Sequence, residues 1–153
     1  MRKTLFFIAV LIMSTMGFTA CVGNNEKPGE FKTLKDAEWP YAEKLFFFMG
    51  DSLTPVPDAM ELVVRHTNAY EFSNLWVELS YVSEDSLMAD TFNITLADDF
   101  GRWFGSGEPI ITFTDTLRLR HLPDTASTFG LRHVMRVDRV KEIEQVALRP
   151  INI

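Results

Sequence analysis

Two runs of strict polar and apolar alternation, separated by a short polar turn, fall within the stretch Tyr70 to Gly107 and constrain the fold more than any other feature of the chain. Leu75, Val77, Leu79 and Tyr81 alternate with Trp76, Glu78 and Ser80, and further on Phe92, Ile94 and Leu96 alternate with Thr91, Asn93 and Thr95. Successive side chains on a strand point to opposite faces, so each run buries one face and leaves the other to solvent. Ser83, Glu84, Asp85 and Ser86 supply turn chemistry between the runs. The pattern predicts a hairpin with Leu75, Val77, Leu79, Phe92, Ile94 and Leu96 inside and Ser80 outside. Asp98, Asp99, Gly101, Gly105 and Gly107 then predict an irregular loop around Trp103 and Phe104. Glycine reaches positive φ without penalty there, and aspartate bonds its own backbone.

The same period recurs along the rest of the chain. Leu45 to Met49 is a continuous apolar run with three phenylalanines and reads as a buried strand. Met60 to Thr67 places Leu62 and Val64 on one face and Glu61, Val63 and Arg65 on the other. Ile110 to Leu122 alternates again, with a bend or bulge expected where Asp115 interrupts the apolar face. Phe129 to Val137 reads as a long strand, and Val146 to Ile151 as the last one, reached through a charged turn from Asp138 to Glu144. Phe31 to Leu34 suits a short strand, and Asp36 to Trp39 one helical turn ended by Pro40. No helical period is sustained after the N-terminal segment. About seven or eight strands with regular turn signals predict an all-β domain, an antiparallel two-sheet β-sandwich of jelly-roll type, with a closed barrel as the alternative.

The N-terminus has Arg2 and Lys3, an apolar run from Leu5 to Met13, and small residues leading to Ala20 and Cys21. This is the layout of a secretory signal peptide, and the apolar run falls short of the roughly 20 residues that a spanning helix needs. Cys21 is the only cysteine in the chain, and Phe18-Thr19-Ala20-Cys21 resembles the lipobox of bacterial lipoproteins. Cys21 is therefore the expected lipid attachment site: several acyl chains hold a protein to a membrane at about 0.8 kcal/mol per buried methylene. The expected organisation is a signal peptide over 1–20, a lipidated tether over 21–30 and a β-sandwich domain over 31–153. Removal of the signal leaves thirteen basic against twenty-one acidic residues, a net charge of −8. A surface that acidic argues against nucleic acid or anionic headgroups as partners.

Tyr70-Glu71-Phe72-Ser73-Asn74-Leu75-Trp76, the loop Leu96 to Gly107, and Val134-Met135-Arg136-Val137-Asp138 followed by Val146-Ala147-Leu148-Arg149 occur in this order along the chain. Together these three stretches resemble the GldH family of gliding-motility lipoproteins. Within the final segment Val134 and Ala147 depart from the family pattern, and Pro150 is expected to interrupt the last strand. The resemblance implies a Bacteroidetes outer-membrane lipoprotein associated with gliding or with the secretion machinery coupled to it, expected to face the periplasm, with exposure at the cell surface as the alternative. Envelope proteins are the implied partners.

The chain displays no catalytic constellation, and no enzymatic activity is expected. His66, His121 and His133 stand in separate segments without a second ligand at metal-binding spacing, so neither a metal nor another cofactor is expected. Asp98 and Asp99 are adjacent and would point oppositely on a strand, against acid/base pairing. Tyr70, Asn74, Trp76 and Trp103 form a candidate interaction surface, because exposed aromatics on a sandwich offer a platform to a protein or a sugar ring. A tethered carbohydrate-binding module is accordingly the alternative function, and a small hydrophobic cluster capping the sandwich is the structural alternative. Asp51-Ser52-Leu53, Asp85-Ser86-Leu87, Asp115-Thr116-Leu117 and Asp124-Thr125-Ala126 resemble the triplets that Bacteroidetes glycosylate on exported proteins. Ser52, Ser86, Thr116 and Thr125 are therefore candidate O-glycosylation sites, although turn chemistry accounts for most of these triplets as well.

Overall fold

The computed structural model describes residues 30–50, 55–124 and 128–153. The expected signal peptide, Cys21 and the expected tether up to residue 29 lie outside the described residues, as do Ser52 and Thr125. Ten strands are described: β1 (Lys32–Thr33), β2 (Glu38–Pro40), β3 (Leu45–Phe48), β4 (Ala59–Thr67), β5 (Asn74–Ser83), β6 (Ser86–Thr95), β7 (Ile110–Arg118), β8 (Thr128–His133), β9 (Arg139–Lys141) and β10 (Ile143–Ile151).

Each strand of the first half pairs antiparallel with its mirror in the second: β5 with β6, β4 with β7, β3 with β8, β2 with β9 and β1 with β10. The polypeptide is one long β-ribbon folded back at Glu84 and Asp85, then rolled so that β4 meets β10 and β5 meets β8. The result is the all-β, jelly-roll sandwich expected from the alternation, with sheets ordered β1-β10-β4-β7 and β3-β8-β5-β6 and a small β2-β9 ribbon at one corner. The fold-back turn has positive φ at both Glu84 and Asp85, the geometry that a two-residue hairpin needs. The favoured Asn-Gly is missing. The Asp124 carboxylate compensates by accepting the Glu84 N–H at 3.0 Å and the Asp85 N–H at 3.3 Å.

The inner faces supply one core. Leu75, Val77, Leu79 and Tyr81 from β5, Ile94 from β6, Phe129 and Leu131 from β8, Met60, Leu62 and Val64 from β4, and Val146 and Leu148 from β10 are all buried, and Trp39 closes the β2-β9 corner. Leu96 is buried just after β6, and Phe92 packs half-buried against the same cluster. Across the β6-β7 side Asp90 points inward, where its Oδ2 accepts the Tyr81 hydroxyl at 2.8 Å and the Arg120 N–H at 3.1 Å.

Several expectations need correction. Asp115 causes no bulge, since β7 pairs with β4 without a shift from Ile110 to Arg118; the irregularity lies in β10 between Ile143 and Gln145. Asp115 instead faces inward opposite Leu62 on an edge strand, an arrangement that discourages further strand pairing. The β3 run is buried on one face only: Leu45 and Phe47 are inside, but Phe46 is 59% and Phe48 42% exposed. The long strand expected to reach Val137 leaves the ladder after His133. The charged turn before the last strand contains β9, and β10 runs through Pro150, beyond the reach of β1. Lys35–Ala37 forms a 3-10 turn with Asp36 and Ala37 at positive φ, and Trp39 belongs to β2. Ser80 points away from the core yet is buried, because Lys44 lies over it and donates to its Oγ at 3.1 Å. Opposite it, a Cβ on Gly130 would fall 2.7 Å from both Ser80 Oγ and Lys44 Cδ, so a larger residue there would have to displace the Lys44 side chain from Ser80.

Candidate functional site

The four residues of the candidate surface divide between two environments at one end of the sandwich. Tyr70 precedes β5 in a turn closed by its N–H to the Thr67 carbonyl, which swings the ring inward. It is 5% exposed, and its hydroxyl donates to the Asn74 carbonyl at 2.9 Å. Burial pushes its pKa up, beyond the ordinary tyrosine range. The ring lies 5.6 Å from His66, 5.8 Å from Phe72 and 6.2 Å from Trp103, and the half-buried Trp103 indole is T-stacked on His66 at 4.6 Å. Tyr70 is thus not part of an exposed platform; with Trp103 it caps the end of the core. His66 belongs to the same cluster, which spacing did not show because Trp103 reaches it through a separate loop.

Trp76 and Asn74 face the other way. Trp76 lies on the outer face of β5, 42% exposed, and lines a groove of about 620 Å³ with Phe72, Asn74, Thr91, Met135 and Arg136. The groove forms because the chain after β8 stays clipped to β5: the Val134 N–H donates to the Trp76 carbonyl at 2.8 Å, and the Trp76 N–H to Met135 Sδ at 3.2 Å. Met135 is buried by this contact, whereas Arg136 is exposed. Asn74 is oriented by its amide, which donates to Asn93 Oδ1 at 2.7 Å. Next to the groove, Arg132 makes a two-pronged contact with Glu78 at 2.9 and 3.0 Å, which holds the Glu78 pKa below the usual carboxylate range. Arg136 has no carboxylate partner among the described residues.

The loop after β6 is built on Asp98. Its Oδ1 accepts the N–H groups of Phe100 and Arg102, each at 2.9 Å, and its Oδ2 takes the Arg102 side chain at 2.7 Å, so its pKa is lowered chiefly by the Arg102 backbone. Leu96 accepts the Phe104 N–H at 2.9 Å, which returns the loop to the core edge and seats Trp103. Gly105 is required there because a Cβ would fall 2.5 Å from the Thr112 carbonyl oxygen. Phe100 and Phe104 are left exposed.

The Tyr70 to Trp76 segment, the Asp98 loop and the Val134 to Asp138 segment therefore meet at one end of the sandwich, although some sixty residues separate the first from the last. Residues 28–149 match the model of the GldH lipoprotein family. The chain belongs to the GldH lipoprotein family. No curated protein matches it.

In this GldH lipoprotein the remaining candidates are dispersed. Ser86 opens β6 and Thr116 lies on the edge strand β7, both exposed, while Asp124 of the fourth triplet is the cap of the fold-back turn. His133 is fully buried with both ring nitrogens unpartnered, its ring edge-on to Trp39 at 5.7 Å and Tyr41 at 5.6 Å. Burial lowers its pKa, partly offset by the Trp39 backbone, with the adjacent Arg132 charge a lesser lowering contribution. His66 donates from Nδ1 to the Thr67 carbonyl at 3.0 Å and leaves Nε2 buried without a partner. Burial lowers its pKa as well, partly offset by that bond. Among the described residues no group of three His, Cys, Asp or Glu side chains is placed to hold a metal, and no helix is long and apolar enough to cross a membrane. Sequence reasoning missed Thr91, Met135 and Arg136 in the lining of the groove. The only signal for it was the Met135-Arg136 pair within the family-like segment.

Proposed function

We propose that the protein is a non-enzymatic adaptor of the gliding-motility and secretion machinery, acylated at Cys21, held on the outer membrane and facing the periplasm. Membership of the GldH lipoprotein family supports an envelope role associated with gliding. The observation that favours an adaptor is β3. It is an edge strand of four apolar residues without a charge, and Phe46 and Phe48 stand out from its outer face. Among the described residues no strand lies against its far side. The other edges of the two four-stranded sheets are guarded: β1 is two residues long, β7 carries the inward Asp115, and β6 carries the inward Asp90. A bare apolar edge is a template for strand addition by a partner, with main-chain bonds giving affinity and side chains giving selectivity.

The test is co-purification of envelope proteins with the chemically cross-linked lipoprotein, wild type against Phe46→Asp/Phe48→Asp. The reading expects a discrete partner that is lost in the variant, with abundance and membrane fractionation unchanged. The same partners on both proteins would overturn it. Cys21→Ala tests the anchor separately: the protein should move to the soluble fraction, and unchanged membrane retention with unchanged fatty-acid labelling would contradict acylation at Cys21.

A further inference from the structure

The Trp76 groove is separate from β3 and has a different chemistry. Its volume of about 620 Å³ lies in the range of ligand sites, roughly 300–1,000 Å³. Its lining combines the Trp76 indole, Met135 and Phe72 with the Asn74 amide and the Thr91 hydroxyl, which stand on either side of Trp76 along the β5-β6 ladder. An aromatic face beside short amide and hydroxyl groups matches a sugar ring, which has apolar C–H faces and hydroxyls around its edge.

The groove is also pre-organised. Trp76 sits on a central strand, both of its backbone groups are tied to the segment that carries Arg136, and the Asn74 amide is held by Asn93. Little ordering is then lost on binding. The charge at the site decides the class of sugar. Arg65 bonds Gln145, and Arg102, Arg120, Arg132, Arg139 and Arg149 all face a carboxylate; Arg118 and Arg136 have none among the described residues, and of these two only Arg136 lines the groove. A guanidinium left open beside hydrogen-bonding groups suits a carboxylate, which it engages with paired N–H donors.

We propose that this groove binds an acidic saccharide, with one ring against Trp76, hydroxyls toward Asn74 and Thr91, and a uronate carboxylate on Arg136. The net negative charge of the chain opposes an extended polyanion, which limits the site to one or two sugar units.

The experiment uses the full-length lipoprotein in detergent micelles. Oligosaccharides of glucuronate, galacturonate and mannuronate are titrated alongside their neutral counterparts, and binding is read by tryptophan fluorescence and calorimetry. At least one uronate should bind more tightly than its neutral counterpart, and added salt should weaken only the acidic ligand. Trp76→Ala should weaken binding about tenfold or more. Arg136→Gln, an exposed change that leaves the core intact, should abolish the preference for the acidic form while the neutral sugar binds as before. Absence of binding by all three uronates would overturn the proposal, as would an unchanged preference in Arg136→Gln. An envelope protein whose capture depends on Trp76, with no saccharide bound, would make the groove a protein site and overturn it equally.

Discussion

Tyr81→Phe removes one hydroxyl from the contact that closes the β6-β7 side of the sandwich. In the wild type that hydroxyl donates to Asp90 at 2.8 Å and accepts the His121 N–H at 3.3 Å. Tyr81 and Asp90 are 1% and 3% exposed, so water cannot readily replace the lost donor. Asp90 would keep the Arg120 N–H at 3.1 Å and a longer contact of 3.4 Å to the Arg120 side chain, which is largely exposed. A hydrogen bond to a charged group contributes about 1.5–3 kcal/mol, and the long His121 contact adds little because His121 is exposed and can be rehydrated. The expected loss is about 2 kcal/mol, measured by urea unfolding with an unchanged m-value. Asp90→Asn should be partly non-additive with it, with a coupling of about 1 kcal/mol in a double-mutant cycle.

The same hydroxyl gives a signature in pH. Burial and the bond to Asp90 push the Tyr81 pKa up to about 12. Because the folded value lies above the unfolded one of about 10, the unfolded state loses its proton first. This part of the stability is complete below pH ~10 and is lost as pH rises toward about 12. Tyr81→Phe should lack that share of the alkaline loss. A cost below about 0.5 kcal/mol together with an identical alkaline profile would refute the clamp, since a buried charge-assisted bond cannot be both present and silent.

Three further outcomes follow from the geometry. Leu79→Ala should cost about 2–5 kcal/mol because Leu79 is fully buried between the sheets, whereas Ser80→Ala should cost about 1 kcal/mol, since Ser80 Oγ also donates to the Gly130 carbonyl at 3.0 Å; equal small effects in thermal melts would contradict the assignment of faces. His133 has a folded pKa below its ordinary value of 6.5, so the stability it supports is present above pH ~6.5 and is lost as pH falls through the folded value. His133→Phe should keep the edge-on contacts to Trp39 and Tyr41 and reduce the acid loss, and unfolding curves at pH ~5 and ~7 that shift equally in both proteins would contradict this. If Ser86 and Thr116 carry O-linked glycans, intact-mass spectrometry of native protein should exceed the lipidated polypeptide and fall stepwise in Ser86→Ala and Thr116→Ala; a mass equal to the lipidated chain would leave both triplets as ordinary backbone features.

Much of this fold is legible wherever a strand has one wet face. β5 alternates without a break, so Leu75, Val77 and Leu79 could be placed inside, and the partner run in β6 placed Ile94. Legibility failed where alternation does not encode burial. The β3 run is apolar at every position, so its period cannot separate a strand buried on both faces from an edge strand with exposed phenylalanines. Ser80 lies on the face that alternation assigns it, but its burial was not legible because its cover, Lys44, comes from 36 residues away. The candidate site was half visible for the same reason. Trp76 and Asn74 lie on the outer face that alternation assigns them, but Met135 and Arg136 join them only because the ribbon folds back, which brings residues 59 positions apart into one bond. Tyr70 looked like a surface aromatic because the turn that directs it inward depends on Thr67 and on the stacked His66 and Trp103.

The adaptor reading is tested most directly by photo-crosslinking in living cells, with a benzophenone amino acid placed singly at Phe46, Phe48 and, as a control, at Glu61. Glu61 lies on the outer face of the other sheet, where it pairs with Arg149 at 3.2 Å. The account predicts one discrete protein adduct, of the same partner, from positions 46 and 48 and none from position 61. No adduct from either β3 position, or the same adducts from all three, would contradict it.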